Sequence, residues 1–366
     1  MDATPAAARP TVTIVFLVYN RREELRESLR RMLTESGYDP DRVDVIVVDN
    51  ASTDGSGDMV REEFPAARLI TRSENVGVSG WNEGLAAAAG DYVLLLDDDC
   101  YLPPDGLRRA VEAAEEHGAD MVSFKVWSTY DPQYIFSEAY RTGLFMFWGC
   151  AVLMRRRVIE TLGGYDPEIF VLANELEFIV RFFDHGFRHL HLPEVVAQHM
   201  KRVGPDEGFR AYRRNTHHWA YIAAKLLHPR HAVGAFLALL TVNVRDAIRN
   251  KPPLRVSAPE TVRGFVHGLR HRSPVRNPAV SRAYRHDFQT FVNPLRLSRS
   301  PGEVLRTLPE ELSVRATRRN PPEYADRHRR FYEERARFYP LEAAMLEFPV
   351  SENGDGARGA RAELIG

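Results

Sequence analysis

Three consecutive carboxylates, Asp97, Asp98 and Asp99, directly follow the apolar residues YVLLL. Because adjacent like charges repel and desolvating an unpaired carboxylate costs several kcal/mol, this triplet requires either full exposure to solvent or a cation beside it. Carboxylate oxygens suit Mg²⁺ or Mn²⁺, which usually keep water molecules and take substrate phosphates as their remaining ligands. The alternative is a solvated turn in which Asp105 caps the next helix.

Two other stretches carry polar side chains that could bind a ligand. In VVDNASTDGS, Asp49 can accept N–H or O–H groups, and the small polar residues after it can present backbone amides to an anion; the same residue types are also common in turns and caps. NVGVSGWNEG places glycines around a helix start, between Asn75 and Asn82. Its spacing matches neither the dinucleotide-binding pattern G-x-G-x-x-G nor the Walker loop, which disfavours NAD binding and P-loop chemistry.

The elements that must position these residues are predicted by apolar runs. Short, β-branched and nearly continuous runs, typical of strands covered on both faces, occur at residues 11–18, 43–49, 67–72 and 91–97. Helical segments lie between them, for example residues 22–36, whose apolar side chains recur with a period near 3.6. The alternation predicts an α/β fold with a mainly parallel, Rossmann-like sheet, helices on both faces and a ligand crevice at the carboxyl ends of the strands. Asp49 and Asp97 both fall at such ends.

Composition narrows the class of protein. The 366 residues are 44% hydrophobic and 27% charged, which is enough to bury one large domain and an extension. Lys and Arg together number 49 against 50 for Asp and Glu, so no field of the whole molecule favours a nucleic-acid partner. The two cysteines, Cys100 and Cys150, form no C-x-x-C pair, which indicates a reducing compartment and gives no zinc signature.

The ends of the chain bear on its location. The start MDATPAAARP has neither a basic segment nor an apolar core, so we interpret residues 1–10 as a disordered lead and expect a cytoplasmic protein. The most apolar later stretch, residues 232–244, is shorter than the roughly 20 residues that span a bilayer, although it is able to lie against the inner face of a membrane.

The rest of the chain divides into three parts. We place the catalytic domain at residues 11–204, a mostly helical C-terminal extension at 205–350 and a disordered tail at 351–366. The extension is expected to pack on the domain. Covering the acceptor side of the cleft, forming a homo-oligomer through its helices and resting on anionic lipid are the alternatives.

Six motifs, taken in their order along the chain, resemble those of the family 2 glycosyltransferases: VYNR, VVDNASTDGS, RSENVGVSGWNEG, LLLDDDC, WGCAVLMRR and NELEF followed by a late histidine. The resemblance covers roughly residues 11–201. It implies a GT-A fold, a nucleotide-sugar donor, usually a UDP- or dTDP-sugar, and metal-dependent transfer to an acceptor hydroxyl with inversion at the anomeric carbon. The acceptor is left open between a glycan, a lipid-linked saccharide and a small molecule.

The resemblance also implies positions for a donor site. Tyr19, Arg21 and Asp49 match the residues that hold the base and ribose. Five other positions are implied to lie in or against the donor pocket, and they are Asn75, Gly77, Asn82, Trp148 and Gly149. Trp148 and Gly149 are equally compatible with strand core.

A metal site follows from the same resemblance. Asp97 and Asp99 match the DXD motif that holds Mn²⁺ or Mg²⁺, while Asp98 is implied either to touch the ribose or to point inward. The motif style is most similar to that of the galactofuranosyl and rhamnosyl transferases, in which a late histidine completes the metal site. The matching residue is His199, which without the resemblance would be interpreted as structural.

Inversion needs a general base, because the acceptor hydroxyl must lose its proton as the nucleoside diphosphate leaves. Glu175 and Glu177, in the first turn of a helix predicted at residues 174–185, are the candidates. The alternative is that both simply favour the helix dipole, with Glu177 pairing with Arg181 one turn later. The resemblance favours Glu175, although relatives usually carry Glu-Asp or Asp-Asp where this chain has Asn174 and Glu175.

Two rival functions remain at this point. A nucleotidyltransferase also uses paired acids and metal on a related sheet, but the sequence lacks a Gly-rich, Lys-containing loop after the first strand to hold a triphosphate. A non-catalytic scaffold that binds nucleotide sugars is the other; the presence of Asp97, Asp99, Glu175 and His199 argues against it.

Overall fold

Eight strands form one sheet in a computed structural model that describes residues 9–129, 147–200, 207–248, 254–281 and 284. The strands are β1 (Val12–Val18), β2 (Val43–Asp49), β3 (Arg68–Thr71), β4 (Tyr92–Asp97), β5 (Cys100–Tyr101), β6 (Met121–Ser128), β7 (Ala151–Arg155) and β8 (His189–His199). Their order across the sheet is β3-β2-β1-β4-β7-β6-β8-β5.

One half of the sheet is parallel. β1 pairs in parallel with both β2 and β4, and β2 pairs in parallel with β3. These four strands correspond to the four apolar runs of the sequence, and the predicted α/β class is confirmed. The register sets Asp49 opposite Val18 and Asp97 opposite Leu17, so both acids end their strands at the same edge.

The other half of the sheet is mixed. β7 runs antiparallel to β4 and β6, and β5 runs antiparallel to β8, while β6 and β8 are parallel. The register of β5 with β8 pairs Cys100 with His199, and the backbone N–H of Met200 donates to the carbonyl of Asp99 at 2.7 Å. This short ladder brings a strand end near residue 199 back to the acidic triplet.

Helices cover both faces of the sheet. They are α1 (Arg22–Glu35), α2 (Ser56–Glu63), α3 (Trp81–Ala87), α4 (Gly106–His117), α5 (Arg156–Leu162), α6 (Asn174–Asp184), α7 (Glu207–Leu226), α8 (Pro229–Ile248) and α9 (Leu254–Arg270). Alternate residues of β1 enter opposite apolar layers: Ile14 and Phe16 join the layer under α1, α2 and α4, whereas Val15 joins the layer under α3, α6 and α7. The predicted two-sided covering is therefore confirmed.

Helices α7, α8 and α9 belong to the predicted C-terminal extension. The backbones of α7 and α9 lie so close together that a Cβ atom at Gly264 would collide with the carbonyl of His217, and one at Gly268 with the carbonyl of Tyr221. Ser257 and Thr261, on the same face of α9, are fully buried. A glycine at each crossing point is what permits this approach.

Helix α7 is attached to the catalytic half by buried charges. The ammonium group of Lys225 donates to Asp166 Oδ2 at 2.7 Å and to Glu177 Oε1 at 2.9 Å, and the Tyr221 hydroxyl also donates to Asp166 at 2.7 Å. The carboxylate of Glu177, which is only 1% exposed, also pairs with Arg181, whose Nη2 lies 2.7 Å from Glu177 Oε2. Each buried carboxylate therefore has more than one donor.

The predicted domain boundaries are compatible with the order of elements but stay predictions. β8 ends at His199 and α7 begins at Glu207. Residues 1–8 of the predicted lead and the whole tail, residues 351–366, lie outside the described residues. Among the helices that the structure describes, none combines the length and apolar content that crossing a bilayer requires.

We expect Lys225→Met to lower the free energy of unfolding by about 3 kcal/mol, because it leaves the buried carboxylates of Glu177 and Asp166 short of a cation. The matched control is Arg61→Met, which removes a cation from the exposed pair with Asp58 and should change stability by no more than about 0.5 kcal/mol. Urea unfolding followed by circular dichroism measures both. Equal effects of the two substitutions would contradict the structural role given to Lys225.

Candidate functional site

A cavity opens at the edge where β1, β2 and β4 end. Its lining combines acids, amides, one arginine, one histidine and apolar side chains, and consists of Leu17, Tyr19, Arg21, Asn50, Asn75, Gly77, Val78, Trp81, Asp97, Asp98, Asp99, Phe170, Val171 and His199. Parallel α/β sheets bind ligands at this edge, as predicted. Tyr19, which is 46% exposed, stands at the rim.

Two carboxylates of the triplet and the late histidine converge beside this cavity. His199 Nε2 lies 3.0 Å from Asp99 Oδ1 and 4.0 Å from Asp97 Oδ2, and the ligand atoms of all three residues lie within 4.8 Å of one another. Hard oxygen donors with one imidazole fit a divalent ion such as Mn²⁺. Asp99 and His199 are about a hundred residues apart in sequence, and the pairing of β5 with β8 brings them together.

The protein itself also supplies positive charge to the triplet. The guanidinium group of Arg21 donates to the Asp99 carboxylate, and its Nη1 lies 3.7 Å from Asp98 Oδ1. Burial disfavours the charged guanidinium, but Asp99, Asp98 and Asp97 outweigh this and raise the pKa of Arg21. Arg21, which was predicted to hold the base and ribose, therefore contacts Asp98 and Asp99. The carboxylates of the triplet thus have a cation from the protein itself, in addition to any metal ion.

The charges within the triplet differ from residue to residue. Burial, followed by repulsion from Asp99, raises the pKa of Asp98 well above its usual range, and its Oδ2 accepts the backbone N–H of Tyr19 at 3.2 Å. Asp98 thus forms part of the cavity wall and fixes the loop after β1. Burial opposes ionisation of Asp99 as well, but hydrogen bonds from His199 and Arg21 overcome it and lower the pKa of Asp99.

His199 is the positive partner of Asp99. Burial disfavours the imidazolium form, yet its interactions with Cys150 and then with the carboxylates of Asp99 and Asp97 are stronger and raise the pKa of His199 to about 9. The histidine and the acid are therefore a matched pair, held 3.0 Å apart at the centre of the site.

An asparagine pair shapes the glycine-rich side of the cavity. Asn75 Oδ1 accepts from Asn50 Nδ2 at 2.8 Å and from the Gly77 backbone N–H at 2.9 Å. Gly77 has a φ of 66°, and a Cβ atom there would collide with the carbonyl oxygen of Phe170. That carbonyl accepts the backbone N–H of Val78 at 2.8 Å, so the loop before α6 is fastened to this turn.

Two predicted donor residues do not line this cavity. Asp49 is buried, and its Oδ1 accepts the backbone N–H of Ser52 at 2.8 Å. Asn82 bonds through both amide atoms to the backbone of Tyr165, each at 2.8 Å. The Asn82 side chain thus joins α3 to the segment after α5, and its predicted role in the donor pocket stays a prediction.

Trp148 and Gly149 lie just before β7, also outside the lining. Trp148 is partly buried and packs against the apolar layer under α1, α2 and α4, and its predicted role beside the donor stays a prediction. Gly149 is buried, and its backbone N–H donates to Glu175 Oε1 at 3.2 Å. It therefore positions a carboxylate and does not contact the cavity.

The two candidate bases are in different environments. Glu177 is buried between Arg181 and Lys225, and its carboxylate neutralises these two cations inside the fold. This arrangement favours the structural alternative for Glu177, and its place among the catalytic candidates stays a prediction. Glu175 is partly exposed in the first turn of α6 and is not among the residues that line the cavity. Just before α6, Leu172 and Ala173 both have positive φ, a strained conformation of the kind concentrated at functional sites.

Tyr165 is a buried residue behind this site that sequence reasoning did not single out; its ring centroid lies 5.6 Å from that of Trp81, which lines the cavity. Its hydroxyl is buried, with no hydrogen-bond partner among the described residues. Burial, followed by the charges of Glu175 and Asp97, raises its pKa well above the usual value, so the hydroxyl lies within electrostatic reach of both. The sequence GGYDPE around Tyr165 contains no signal of a buried, unpartnered hydroxyl. Asn50, which lines the cavity, is a second residue that was not singled out, and its position directly after Asp49 at a strand end could have indicated it.

Residues 13–163 match the family model described as glycosyl transferase family 2. The sheet, its acidic edge and this match define the class: this part of the chain is a glycosyltransferase domain of family 2 with the GT-A fold. The finer likeness to galactofuranosyl and rhamnosyl transferases stays a prediction.

Curated relatives cover parts of the chain. The chain is 35% identical over 114 residues to the succinoglycan biosynthesis protein ExoO of Rhizobium meliloti. That alignment covers 31% of this chain and 32% of ExoO. The chain is 27% identical over 216 residues to the undecaprenyl-phosphate 4-deoxy-4-formamido-L-arabinose transferase of Pseudomonas syringae, covering 55% and 61%. The chain thus spans less than two thirds of the length of either relative.

A solved structure supports the fold. The mannosyltransferase PcManGT from Pyrobaculum calidifontis, determined in complex with GDP-Man and Mn²⁺, superimposes with a TM-score of 0.50 at 20% identity. The alignment covers 94% of this chain and 89% of that chain. At this identity the comparison establishes a shared architecture.

We expect Gly77→Ala to destabilise the protein more than Gly118→Ala. Both glycines have positive φ, so an alanine is strained by about 1–2 kcal/mol at either position, but only at Gly77 does its methyl group also strike the Phe170 carbonyl. Overpacking of this kind adds about 1–3 kcal/mol. Urea unfolding of the two variants measures the difference, and equal losses would show that the contact with Phe170 is not tight.

Proposed function

We propose that the protein is a metal-dependent inverting glycosyltransferase that moves a sugar from a UDP- or dTDP-sugar to an acceptor hydroxyl. The observation that carries the proposal is the convergence of Asp97, Asp99 and His199 beside the cavity. The Mn²⁺ in the mannosyltransferase complex lends it support, because that protein has the same architecture.

In this proposal, Asp97, Asp99 and His199 hold Mn²⁺ or Mg²⁺. A bound ion would supply positive charge against the negative charge that develops on the nucleoside diphosphate as its bond to the sugar breaks. Tyr19 at the rim and the turn at Asn75 and Gly77 would enclose the nucleotide, since all three line the cavity. Asp98 and Arg21 act on the site by fixing the loop after β1 and the position of Asp99.

Glu175 is the proposed general base. Its Oε1 is oriented by the Gly149 N–H at 3.2 Å, and α6 presents it in a first turn directed by the strained Leu172 and Ala173. The carboxylate takes the proton of the acceptor hydroxyl while that oxygen forms the new bond to the anomeric carbon and the nucleoside diphosphate departs. Positioned general bases typically contribute about 10²–10⁴ in rate.

The acceptor class is proposed from the relatives. ExoO is named for succinoglycan biosynthesis and the arabinose transferase for undecaprenyl phosphate, so we propose a glycan or lipid-linked acceptor for this chain. Such acceptors would place it in the cytoplasm, at or near the inner face of a membrane. Homo-oligomerisation through the C-terminal helices stays a prediction.

We expect Glu175→Gln to lower kcat by about 10²–10⁴ while the Kd for UDP with Mn²⁺ stays within about twofold. The isosteric control is Glu177→Gln, which should lower the free energy of unfolding because it weakens a buried ion pair, with a much smaller effect on kcat. Release of UDP from a set of UDP- and dTDP-sugars, with and without candidate acceptors, measures turnover. Full activity of Glu175→Gln would exclude it as the base.

Removal of the metal gives an independent test. EDTA should abolish transfer and Mn²⁺ should restore it, and Asp97→Asn should weaken Mn²⁺ binding by at least about tenfold in calorimetry. UDP at 100 times its Kd should stabilise the wild type by about 2.7 kcal/mol in the presence of Mn²⁺, and this stabilisation should be lost with EDTA. Asp58→Asn, at an exposed surface position, is the control. Turnover that persists in EDTA would overturn the proposed metal dependence.

A further inference from the structure

A second group of potential metal ligands lies away from the donor cavity. His267 and His271 are one turn apart on α9, and Glu168 comes from the segment between α5 and α6. His267 Nε2 lies 3.1 Å from Glu168 Oε2, and His271 Nε2 lies 3.8 Å from Glu168 Oε1. One ligand atom from each residue falls within 4.8 Å of the others.

Hydrogen bonds on the far side of each ring orient the two imidazoles. His271 Nδ1 lies 3.2 Å from the carbonyl oxygen of His267, which can only accept, so this nitrogen carries the proton. His267 Nδ1 lies 3.4 Å from His217 Nε2, and His217 Nδ1 lies 3.5 Å from a carboxylate oxygen of Glu260. Because Glu260 is a carboxylate, it accepts the Nδ1–H of His217. In a neutral His217 ring, Nε2 is then unprotonated and accepts the Nδ1–H of His267.

The consequence is that both neutral rings direct an unprotonated Nε2 towards Glu168. Metal-binding histidines characteristically donate their other N–H to a carbonyl or a carboxylate, either of which fixes the tautomer and the ring orientation. Here His271 donates to the carbonyl of His267, and His267 donates to His217, which in turn donates to Glu260. Glu260 is itself held by Arg213 at 2.7 Å.

The distances suit a tetrahedral ion. Bonds of about 2.1 Å in a tetrahedron separate neighbouring ligand atoms by about 3.4 Å. His267 Nε2 lies 3.1 Å from one oxygen of Glu168 and His271 Nε2 lies 3.8 Å from the other, while one ligand atom from each of the three residues lies within 4.8 Å of the others, so small side-chain rotations would bring them to that spacing. Two imidazoles with one carboxylate favour Zn²⁺ over Mn²⁺ or Mg²⁺, which prefer oxygen ligands. Glu168 and His271 are each 43% exposed in their side chains, so an ion can enter from solvent.

We propose that Glu168, His267 and His271 form a second metal site, for Zn²⁺ or an ion of similar preference, with water as its fourth ligand. Glu168 lies two residues before Phe170, which lines the donor cavity and accepts the Val78 N–H. An ion at this site therefore fastens α9 to the segment that forms one wall of the cavity. The proposal does not depend on the function proposed above.

The test measures zinc stoichiometry by equilibrium dialysis on the full chain after treatment with chelator. The background carries Asp97→Asn and His199→Ala, so that the donor site does not contribute. We expect one zinc ion per chain in this background, its loss in the further variant His271→Ala, and its retention in His117→Ala. His117 is the control because it is an exposed histidine at the end of another helix, α4.

A second variant separates a metal site from a simple ion pair. His217→Gln removes the ring that orients His267, and changes of this kind typically weaken metal binding 10–100-fold. Co²⁺ should give the absorption of a tetrahedral ion in the wild type and lose it in His271→Ala, with circular dichroism confirming that the variant is folded. No zinc bound in the background chain, or equal zinc in His271→Ala and His117→Ala, would overturn the proposal and leave Glu168 paired with protonated histidines.

Discussion

Accommodation of three adjacent carboxyl groups is the constraint on which this site depends. Asp98 and Asp99 are almost fully buried, and a carboxylate in such a position is tolerated only beside a cation or several donors. Arg21, at the start of α1, and His199, at the end of β8, provide those charges. The loop after the first strand and the last strand of the sheet are therefore both fixed by the acids at the end of β4.

Much of the fold could be predicted because its signals are local. The four parallel strands are continuous apolar runs, and helices such as α6 carry a clear apolar stripe, so burial follows directly from the letters. The antiparallel strands that complete the sheet are less evident, because their pairing joins residues far apart in sequence. The pairing of Cys100 with His199 is one example.

The direction of individual side chains could not be predicted in the same way. Asn82 and Glu177 occupy motif positions, yet each is directed by a distant partner: the backbone of Tyr165 for one, and Lys225 on α7 for the other. Glu175 was separable from Glu177 only by resemblance. In the structure the two differ in burial, which is a tertiary property that two acids one residue apart do not reveal.

The contact between α7 and α9 has a practical consequence for anyone who shortens the chain. At Gly264 and Gly268 the main chain of α9 approaches the carbonyls of α7 so closely that no side chain larger than glycine fits without a shift. A fragment that ends before Leu254 would lack α9 and expose the face of α7 that α9 covers. Helix α7 carries Lys225, which neutralises Asp166 and Glu177. Trimming should therefore not reach Tyr284, which is fully buried in the apolar layer under α3, α6 and α7, and the family-matched segment alone is a poor choice for expression.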